Sequence, residues 1–154
     1  MTREKPGGGQ GDSGAQRLAE RAAGALYAQD KASQALGMQL VEAAPGRARV
    51  SMRVRADMVN GHEICHGGLV FALADSAFAF ACNSYNDATV AASGTIDFLA
   101  PARSGDELTA EARELWRTRR NGIYEITVVN QRGERVALFR GRSYRIDGRL
   151  VDPE

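Results

Sequence analysis

The sequence is poor in cysteine, in histidine and in net charge. Two cysteines in 154 residues are too few for the disulfide framework of a small secreted protein. No charged segment followed by a short apolar one opens the chain, so no signal peptide is predicted and a reducing cytoplasm is the expected location. Twenty Lys and Arg against 19 Asp and Glu leave a net charge of +1. This balance argues against nucleic acid or an anionic membrane as the main partner.

Long hydrophobic runs are also missing. The longest nearly uncharged stretch, Gly67 to Asn83, is shorter than the roughly 20 residues that cross a bilayer. It also contains Asp75 near its middle. The stretch is therefore expected to be buried inside a water-soluble domain, with no membrane as partner. A chain with 44% hydrophobic and 25% charged residues has the composition of an ordinary globular protein.

The chain is expected to form one domain with a short tail at each end. Residues 1–16 hold five of the 17 glycines and almost nothing apolar, which predicts a disordered tail. Residues 17–148 form the domain, and residues 149–154 a C-terminal tail. A helix is expected from Arg17 to Gln29, with Gly37 as a stop for the helical region.

The remaining pattern predicts a hairpin, a long helix and four more strands. Residues 47–56 alternate strictly, which places five small or apolar side chains on one face of a strand: Ala48, Val50, Met52, Val54 and Ala56. A shorter strand precedes it, joined by a Pro45-Gly46 turn. The segment LVFALADSAFAFACNSY is the best helix, and it is apolar nearly all round, so other elements must enclose it. Four strands separated by turn-rich segments follow. The expected fold class is α+β, a long helix wrapped by one curved antiparallel sheet.

Residues 62–66, His-Glu-Ile-Cys-His, match the spacing of the zinc-protease signature, in which two histidines lie one helical turn apart. That signature works only inside a helix. Here Asn60-Gly61 precedes it and Gly67-Gly68 follows, which places it in a turn and at a helix start. No metal site is expected.

The glycines at this helix start favour an anion-binding role. The first backbone N–H groups of a helix lack intrahelical partners, and the positive end of the dipole lies there. The N–H of Gly67 or Gly68 is therefore a candidate donor to a developing oxyanion. The alternative is that the two glycines only permit a tight turn from the preceding segment into the helix.

Asp75 is the second candidate, because a carboxylate in an apolar helix needs a partner, a hydrated cleft or a proton. Its neighbours one helical turn away are all apolar: Phe71, Ala72, Phe78 and Ala79. Either Asp75 faces a site, or strand amides, Ser76 or a threonine hydroxyl satisfy it. The eight residues from Gly67 span about 12 Å of helix, so the two groups can meet at one substrate atom only across a two-fold interface between two chains.

The residues from Asn60 to Ser84, N-G-H-x-x-C-H-G-G-L-x-F-x-L-A-D-x-A-F-A-x-A-C-N-S, resemble the hotdog-fold thioesterases of the phenylacetic acid degradation (PaaI) group. The resemblance continues through T-I-D-F-L-A-P, G-x-Y-x-I-x-V-V-N-Q and V-A-L-F-R-G-R-S, and covers roughly Leu26 to Ile146. It implies the hotdog fold, hydrolysis of acyl-CoA thioesters such as phenylacetyl-CoA and its ring-hydroxylated derivatives, and a homotetramer built from dimers. No cofactor is implied beyond the coenzyme A of the substrate.

The resemblance also implies roles for individual residues. Asp75 would attack the thioester or activate water, and Gly67 would supply the oxyanion N–H. Asn60 would orient the acyl carbonyl or a water molecule, and His66 would support the turn. Ser93, Ser76 and Thr95 are rival positions for holding the water.

Four further residues are expected to contact the substrate: Gly68, Phe71, Phe78 and Phe98. Six arginines are candidates for the phosphates of coenzyme A: Arg117, Arg119, Arg120, Arg140, Arg142 and Arg145. Two other functions stay open, namely an acyl-CoA-binding module without catalysis and a hotdog hydratase or dehydratase.

Overall fold

The computed structural model describes the backbone of residues 9–154 and the side chains of residues 13–154. Three helices and six strands follow one another in this part of the chain. They are α1 (Gly9–Gln29), α2 (Lys31–Ala35), β1 (Gln39–Ala44), β2 (Arg47–Arg53), α3 (Gly67–Cys82), β3 (Asp87–Phe98), β4 (Glu107–Arg117), β5 (Asn121–Val129) and β6 (Arg135–Arg149), with a single 3₁₀ turn at Ala56–Met58.

The six strands form one antiparallel sheet in the order β1-β2-β4-β5-β6-β3. The helix α3 packs against every strand of this sheet, so the expected α+β hotdog arrangement is confirmed. Its sheet-facing side chains are fully buried, among them Leu73, Ala77, Phe78 and Phe80.

Two glycines allow the sheet to approach α3 closely. Gly94 of β3 lies opposite Gly141 of β6 in the ladder. A Cβ atom at Gly141 would lie 2.6 Å from the Phe78 ring, and one at Gly94 would lie 2.6 Å from the Phe139 ring. A side chain at Gly141 would push against α3, and one at Gly94 would displace the Phe139 ring, because packed interiors leave no room for added atoms.

The other face of α3 is covered only in part. Ala72, Asp75, Ser76 and Ala79 are half-buried, so the elements around the helix enclose this face less tightly than the face that packs on the sheet. The helix lies on one side of a sheet, and none of the elements that the structure describes closes the opposite side as tightly. This half-open face contains the acidic residue that the sequence singled out.

The predicted hairpin of β1 and β2 is confirmed, and four of its five inward side chains are buried as expected. Ala56 is the exception. The strand ends at Arg53, and Ala56 lies exposed in the 3₁₀ turn that follows. The pairing with the β4 side ends at Val54, whose amide donates to the carbonyl of Asp106 and whose carbonyl accepts from Gly105, and beyond it no ladder between described strands keeps the alternation.

The N-terminal helix begins earlier than the sequence predicts. The predicted disordered tail spans residues 1–16, yet α1 starts at Gly9; residues 1–8 lie outside the described residues. Ala19, Ala22 and Ala23 are fully buried, and Gln16 donates to the carbonyl of Ala43 over 2.8 Å. Once these alanines have packed against the domain, extending the existing helix by further residues costs little free energy, even in a glycine-rich segment.

At the other end, β6 reaches Arg149, one residue into the predicted tail. The amides of Leu150 and Val151 both donate to the side-chain oxygen of Asn86, at 3.0 and 2.9 Å. The start of the predicted C-terminal tail is therefore held against the turn after α3.

The strand β3 forms an open edge of the sheet. It pairs with β6 on one side, and no described strand pairs with its other side. Val90 and Phe98 on this strand are 46% and 57% exposed. Unpaired strand edges with apolar side chains are typical pairing surfaces. Among the described helices, none combines the length and the apolar character needed to cross a membrane.

Candidate active site

The segment before α3 is a closed turn and not a helix. The Asn60 amide donates to the carbonyl of Ile64 over 2.8 Å, and Val59 forms a β-bridge with Cys65. His62 is exposed in this turn, whereas His66 ends it. The two histidines therefore do not share a helical face, which removes the zinc-protease interpretation. In the described part of the chain, no three His, Cys, Asp or Glu side chains are grouped to hold a metal ion.

Asn60 organises this turn through its side-chain oxygen, which accepts from the amides of His62 (2.9 Å) and Ile64 (3.4 Å). These bonds fix the side-chain amide and leave its NH₂ group without an acceptor among the described residues. Asn60 also lines a groove beside the start of α3. An oriented NH₂ donor at a groove wall suits a carbonyl oxygen or a water molecule.

His66 caps the N-terminus of α3. Its Nδ1 accepts the Gly68 N–H over 2.9 Å, and its carbonyl accepts from Leu69 (2.9 Å) and Val70 (3.3 Å). Because Nδ1 is an acceptor here, the ring proton of neutral His66 is on Nε2. The imidazole thus supports the turn, in the manner expected for it.

These bonds distinguish between the two glycines. The Gly68 N–H is occupied by His66, so its predicted place as a substrate contact through that donor is wrong. The Gly67 N–H has no acceptor among the described residues. It lies at the first position of a 16-residue helix, where the partial positive charge of the dipole collects.

Gly67 lines a groove of about 550 Å³. Its walls are mostly apolar, and they include Ile64, Val70, Phe98, Leu99 and Pro101. A Cβ atom at Gly67 would lie 3.0 Å from the tip of the Phe98 ring. Glycine therefore lets Phe98 lie directly over the helix start and shapes the groove beside the free donor.

Asp75 lies two turns further along α3, half-buried and with no hydrogen bond or ion pair to a described residue. Desolvation by burial, and secondly the negative charge of Asp30, raise the pKa of its carboxyl above the usual value. The hydroxyl of Ser76 does not satisfy it, because Ser76 Oγ bonds to Ser33 Oγ over 2.7 Å. Among the described residues, Asp75 is therefore not a structural carboxylate satisfied by its own chain.

The predicted aromatic contacts divide into two groups. Phe98 lines the groove, as expected of a substrate contact. Phe78 is fully buried and packs against Tyr124 and Phe139 at centroid distances of 5.5 and 6.0 Å, so its predicted contact with substrate is wrong. Phe71 is half-buried, with its ring 5.1 Å from Phe139, and it lies outside the groove wall.

Ser93 and Thr95 face away from α3. A Cβ atom at Gly94 would meet Phe139, which packs against α3 through Phe71. Neighbouring residues in a strand point to opposite faces of the sheet, so Ser93 and Thr95 lie on the outer face. Their predicted water-holding role requires the helix side of the sheet, and the structure does not place them there.

Sequence reasoning missed Asp30 and Ser33. Asp30 caps α2 by accepting the Ser33 N–H over 2.9 Å, and Ser33 Oγ donates to Asp30 over 2.5 Å. Ser33 then meets Ser76, the residue that follows Asp75. An Asp three residues before a Ser is a helix-capping signal, but only the docking of α2 on α3 brings the pair to Asp75.

Three of the six candidate arginines are engaged within the chain. Arg145 pairs with Asp87 at 2.9 Å, Arg117 with Glu114 at 3.4 Å, and Arg142 donates to the Asn121 side chain over 2.9 Å. The guanidinium groups of the other three have no partner among the described residues: Arg119, Arg120 and Arg140.

Comparisons with known proteins show which family the chain resembles. The model of the thioesterase superfamily matches residues 62–137. The acyl-coenzyme A thioesterase PaaI of Escherichia coli is 49% identical over 127 residues, covering 82% of this chain and 91% of that protein. A putative esterase of Archaeoglobus fulgidus is 34% identical over 131 residues, covering 85% of each. The solved structure of the E. coli PaaI protein from the phenylacetic acid degradation operon superposes with a TM-score of 0.86 and 47% identity, covering 88% of this chain and 98% of that one.

Proposed function

The chain belongs to the thioesterase superfamily, and on this premise we propose that it hydrolyses acyl-CoA thioesters to a free acid and coenzyme A. We further propose phenylacetyl-CoA and its ring-hydroxylated derivatives as the substrates. The similarity to E. coli PaaI, an acyl-CoA thioesterase from a phenylacetic acid degradation operon, supports this choice. The reaction needs water and no cofactor.

The observation that carries the proposal is the free Gly67 N–H at the start of α3, beside an apolar groove. Attack on a thioester carbonyl moves negative charge onto its oxygen. A fixed backbone donor at the positive end of a helix stabilises that charge in the transition state without reorganising. The NH₂ group of Asn60 supplies a second donor at the same wall.

Asp75 supplies the other half of the chemistry. Its carboxylate either attacks the carbonyl carbon, to be released by water afterwards, or takes the proton of a water that attacks. In both routes the C–S bond breaks and coenzyme A leaves as a thiolate, which is then protonated. Thiolate is a good leaving group, so no strong general acid is needed. Partial burial without a partner keeps Asp75 more basic than an exposed carboxylate.

The active unit in this proposal is a dimer, because about 12 Å of helix separates Gly67 from Asp75. The unpaired edge of β3 offers the interface. Antiparallel pairing of two β3 strands about a two-fold axis sets the two α3 helices side by side in opposite directions. Gly67 of one subunit then meets Asp75 of the other. Two such dimers form the proposed homotetramer.

The acyl group is proposed to be aromatic because of the groove walls. Phe98 covers the helix start, and Ile64, Val70 and Leu99 continue the apolar surface. Flat rings bury well against such walls. The free guanidinium groups of Arg119, Arg120 and Arg140 are candidates for the phosphates, which guanidinium groups bind well.

The test is release of free thiol from three substrates: phenylacetyl-CoA, 3-hydroxyphenylacetyl-CoA and octanoyl-CoA. The expected result is turnover with kcat/KM at least about tenfold higher for the aromatic thioesters, the size of a specific apolar contact. A folded protein that binds acyl-CoA in a 1:1 ratio without releasing thiol would instead be a binding module. Hydration of an enoyl-CoA without thiol release would point to a hydratase.

The shared site makes a further prediction about mixed oligomers. Gly67→Pro and Asp75→Asn chains are each expected to be inactive, yet a dimer containing one of each retains one intact site of two. Unfolding and refolding an equimolar mixture makes about half of the dimers mixed, so about one quarter of wild-type activity is expected to return. Thiol release measured on the refolded mixture, with each variant refolded alone as control, checks this. A mixture that contains mixed dimers by mass spectrometry but stays inactive contradicts the composite site.

A further inference from the structure

Hydrogen bonds between three side chains, those of Asp30, Ser33 and Ser76, connect the turn between α1 and α2 to the middle of α3. Ser33 Oγ lies 2.5 Å from Asp30 Oδ2 and 2.7 Å from Ser76 Oγ. Ser33 is only 3% exposed. Ser76 directly follows Asp75, so these hydrogen bonds end beside the carboxylate proposed for catalysis.

The directions of these hydrogen bonds follow from counting protons. An ionised carboxylate only accepts, so the single hydroxyl proton of Ser33 goes to Asp30. Ser76 must therefore donate its own proton to Ser33. Its oxygen then has only lone pairs left, so towards any further partner on the half-open face of α3 it can only accept.

Asp30 is held firmly in this place. Its side chain accepts the Ser33 N–H over 2.9 Å, its own amide donates to the Tyr27 carbonyl over 3.0 Å, and its carbonyl accepts from Gln34 over 3.1 Å. The negative charge and the direction of the hydrogen-bonded chain are thus both set by the docked N-terminal helices.

Few titratable groups act on Asp75 from the elements packed around it. Asp30, in the turn between α1 and α2, raises its pKa. On α3 itself, Cys82 interacts with Asp75, but burial raises the pKa of that thiol to about 12 and keeps it neutral. Among the described residues, no Lys, Arg or His forms an ion pair with Asp75.

We propose that Asp30 and Ser33 are positioning residues for catalysis: they orient Ser76 as an acceptor for the attacking water, and they hold the carboxylate of Asp30 at the far end of the hydrogen bonds that lead to the neighbour of Asp75. This inference rests on the proposed thioesterase function for its kinetic consequences. The coupling between Asp30 and Asp75 is a property of the folded chain and can be measured without turnover.

The central variant is Asp30→Asn. Asparagine is as good a helix cap as aspartate, so α2 keeps its start. The NH₂ group that replaces Oδ2 donates to the Ser33 hydroxyl. This reverses the direction of the hydrogen bonds, so that Ser33 donates to Ser76. The negative charge is lost at the same time. We expect the Asp75 pKa to fall relative to wild type, measured by ¹³C NMR titration of its side-chain carboxyl. An unchanged Asp75 titration overturns the electrostatic part of the proposal.

The same variant has a kinetic signature that a structural defect does not produce. The acid limb of the kcat profile is expected to move to lower pH, because the base that must be ionised has become more acidic, and kcat on the plateau is expected to fall about tenfold. Glu107→Gln, which removes an exposed carboxylate on β4, is the matched control and should change neither. A plateau loss without movement of the limb overturns the assignment of charge tuning to Asp30.

Ser33→Ala separates positioning from charge, since Asp30 stays in place. We expect a several-fold loss of kcat with little change in KM or in the acid limb, and recovery in Ser33→Thr, which restores a hydroxyl. Wild-type kcat in Ser33→Ala overturns the positioning role. If the wild-type protein releases no thiol from any acyl-CoA, the proposed function fails, while the NMR titrations still decide whether Asp30 acts on Asp75.

Discussion

Asp75→Asn is expected to lower kcat for thioester hydrolysis by about 10³-fold or more, because it removes either the nucleophile or the general base while keeping the shape of the side chain. The half-buried carboxylate has no hydrogen-bond or ion-pair partner among the described residues whose loss would disturb folding. Thiol release under saturating substrate measures the effect. Asp147→Asn, which removes an exposed carboxylate on β6, is the control and should retain full activity. Turnover near the wild-type level in Asp75→Asn contradicts the mechanism.

The same substitution is expected to stabilise the protein at neutral pH. Burial raises the Asp75 pKa in the folded chain above the value of 3.8 that it has when exposed. The folded state therefore binds this proton more tightly than the unfolded state, and stability is lost as pH rises from 3.8 through the raised pKa. Asparagine does not titrate, so the Asp75→Asn variant does not lose this stability as the pH rises. Its Tm should exceed that of wild type at pH 7 and approach it near pH 3, as measured by calorimetry.

Gly67→Pro is expected to lower kcat by about 10² to 10³-fold, since it deletes the backbone N–H of Gly67, which has no acceptor among the described residues and lies at the groove. Proline is well tolerated at the first position of a helix. It also requires an extended residue before it, and His66 has φ −58° and ψ 129°. The helix start should thus survive while its donor is lost, which circular dichroism and thiol release together can verify.

Gly67→Ala is the matched control, because it retains the N–H and adds only the Cβ atom. That atom would lie 3.0 Å from the exposed Phe98 ring, which can shift by a few tenths of an ångström. A loss in Gly67→Ala much smaller than in Gly67→Pro assigns the effect to the donor. Equal losses in the two variants contradict the oxyanion role and attribute the effect to crowding of the groove.

The sequence predicted the elements that depend on local pattern. Strict alternation identified β2, and the apolar run identified α3, because side-chain periodicity and burial are linked directly. The resemblance to hotdog thioesterases named Asp75 and Gly67 without any structure. Two boundaries were predicted wrongly: Ala56 lies beyond the end of the strand, and α1 begins at Gly9. Where a strand loses its partner and where a docked helix is extended depend on the tertiary structure.

The choice among similar groups needed the structure. Gly67 and Gly68 are equivalent in the sequence, but the His66 ring occupies one N–H and leaves the other free. Phe78 and Phe98 are both aromatic residues within the resemblance, yet Phe78 fills the core and Phe98 borders the groove. Ser93 and Thr95 depend on which face of β3 looks towards α3, which the ladder with β6 decides.

The sequence by itself determined that one long apolar helix carries a lone carboxylate eight residues after a glycine-rich start, and that a sheet must pack against it. Only the tertiary structure decided which backbone donor is free, which face of α3 stays half-open, and that Asp30 and Ser33 lie beside Ser76. The physical reason is that periodicity records burial within one element. Hydrogen bonds between elements distant in the chain depend on how those elements dock, and local sequence does not encode that docking.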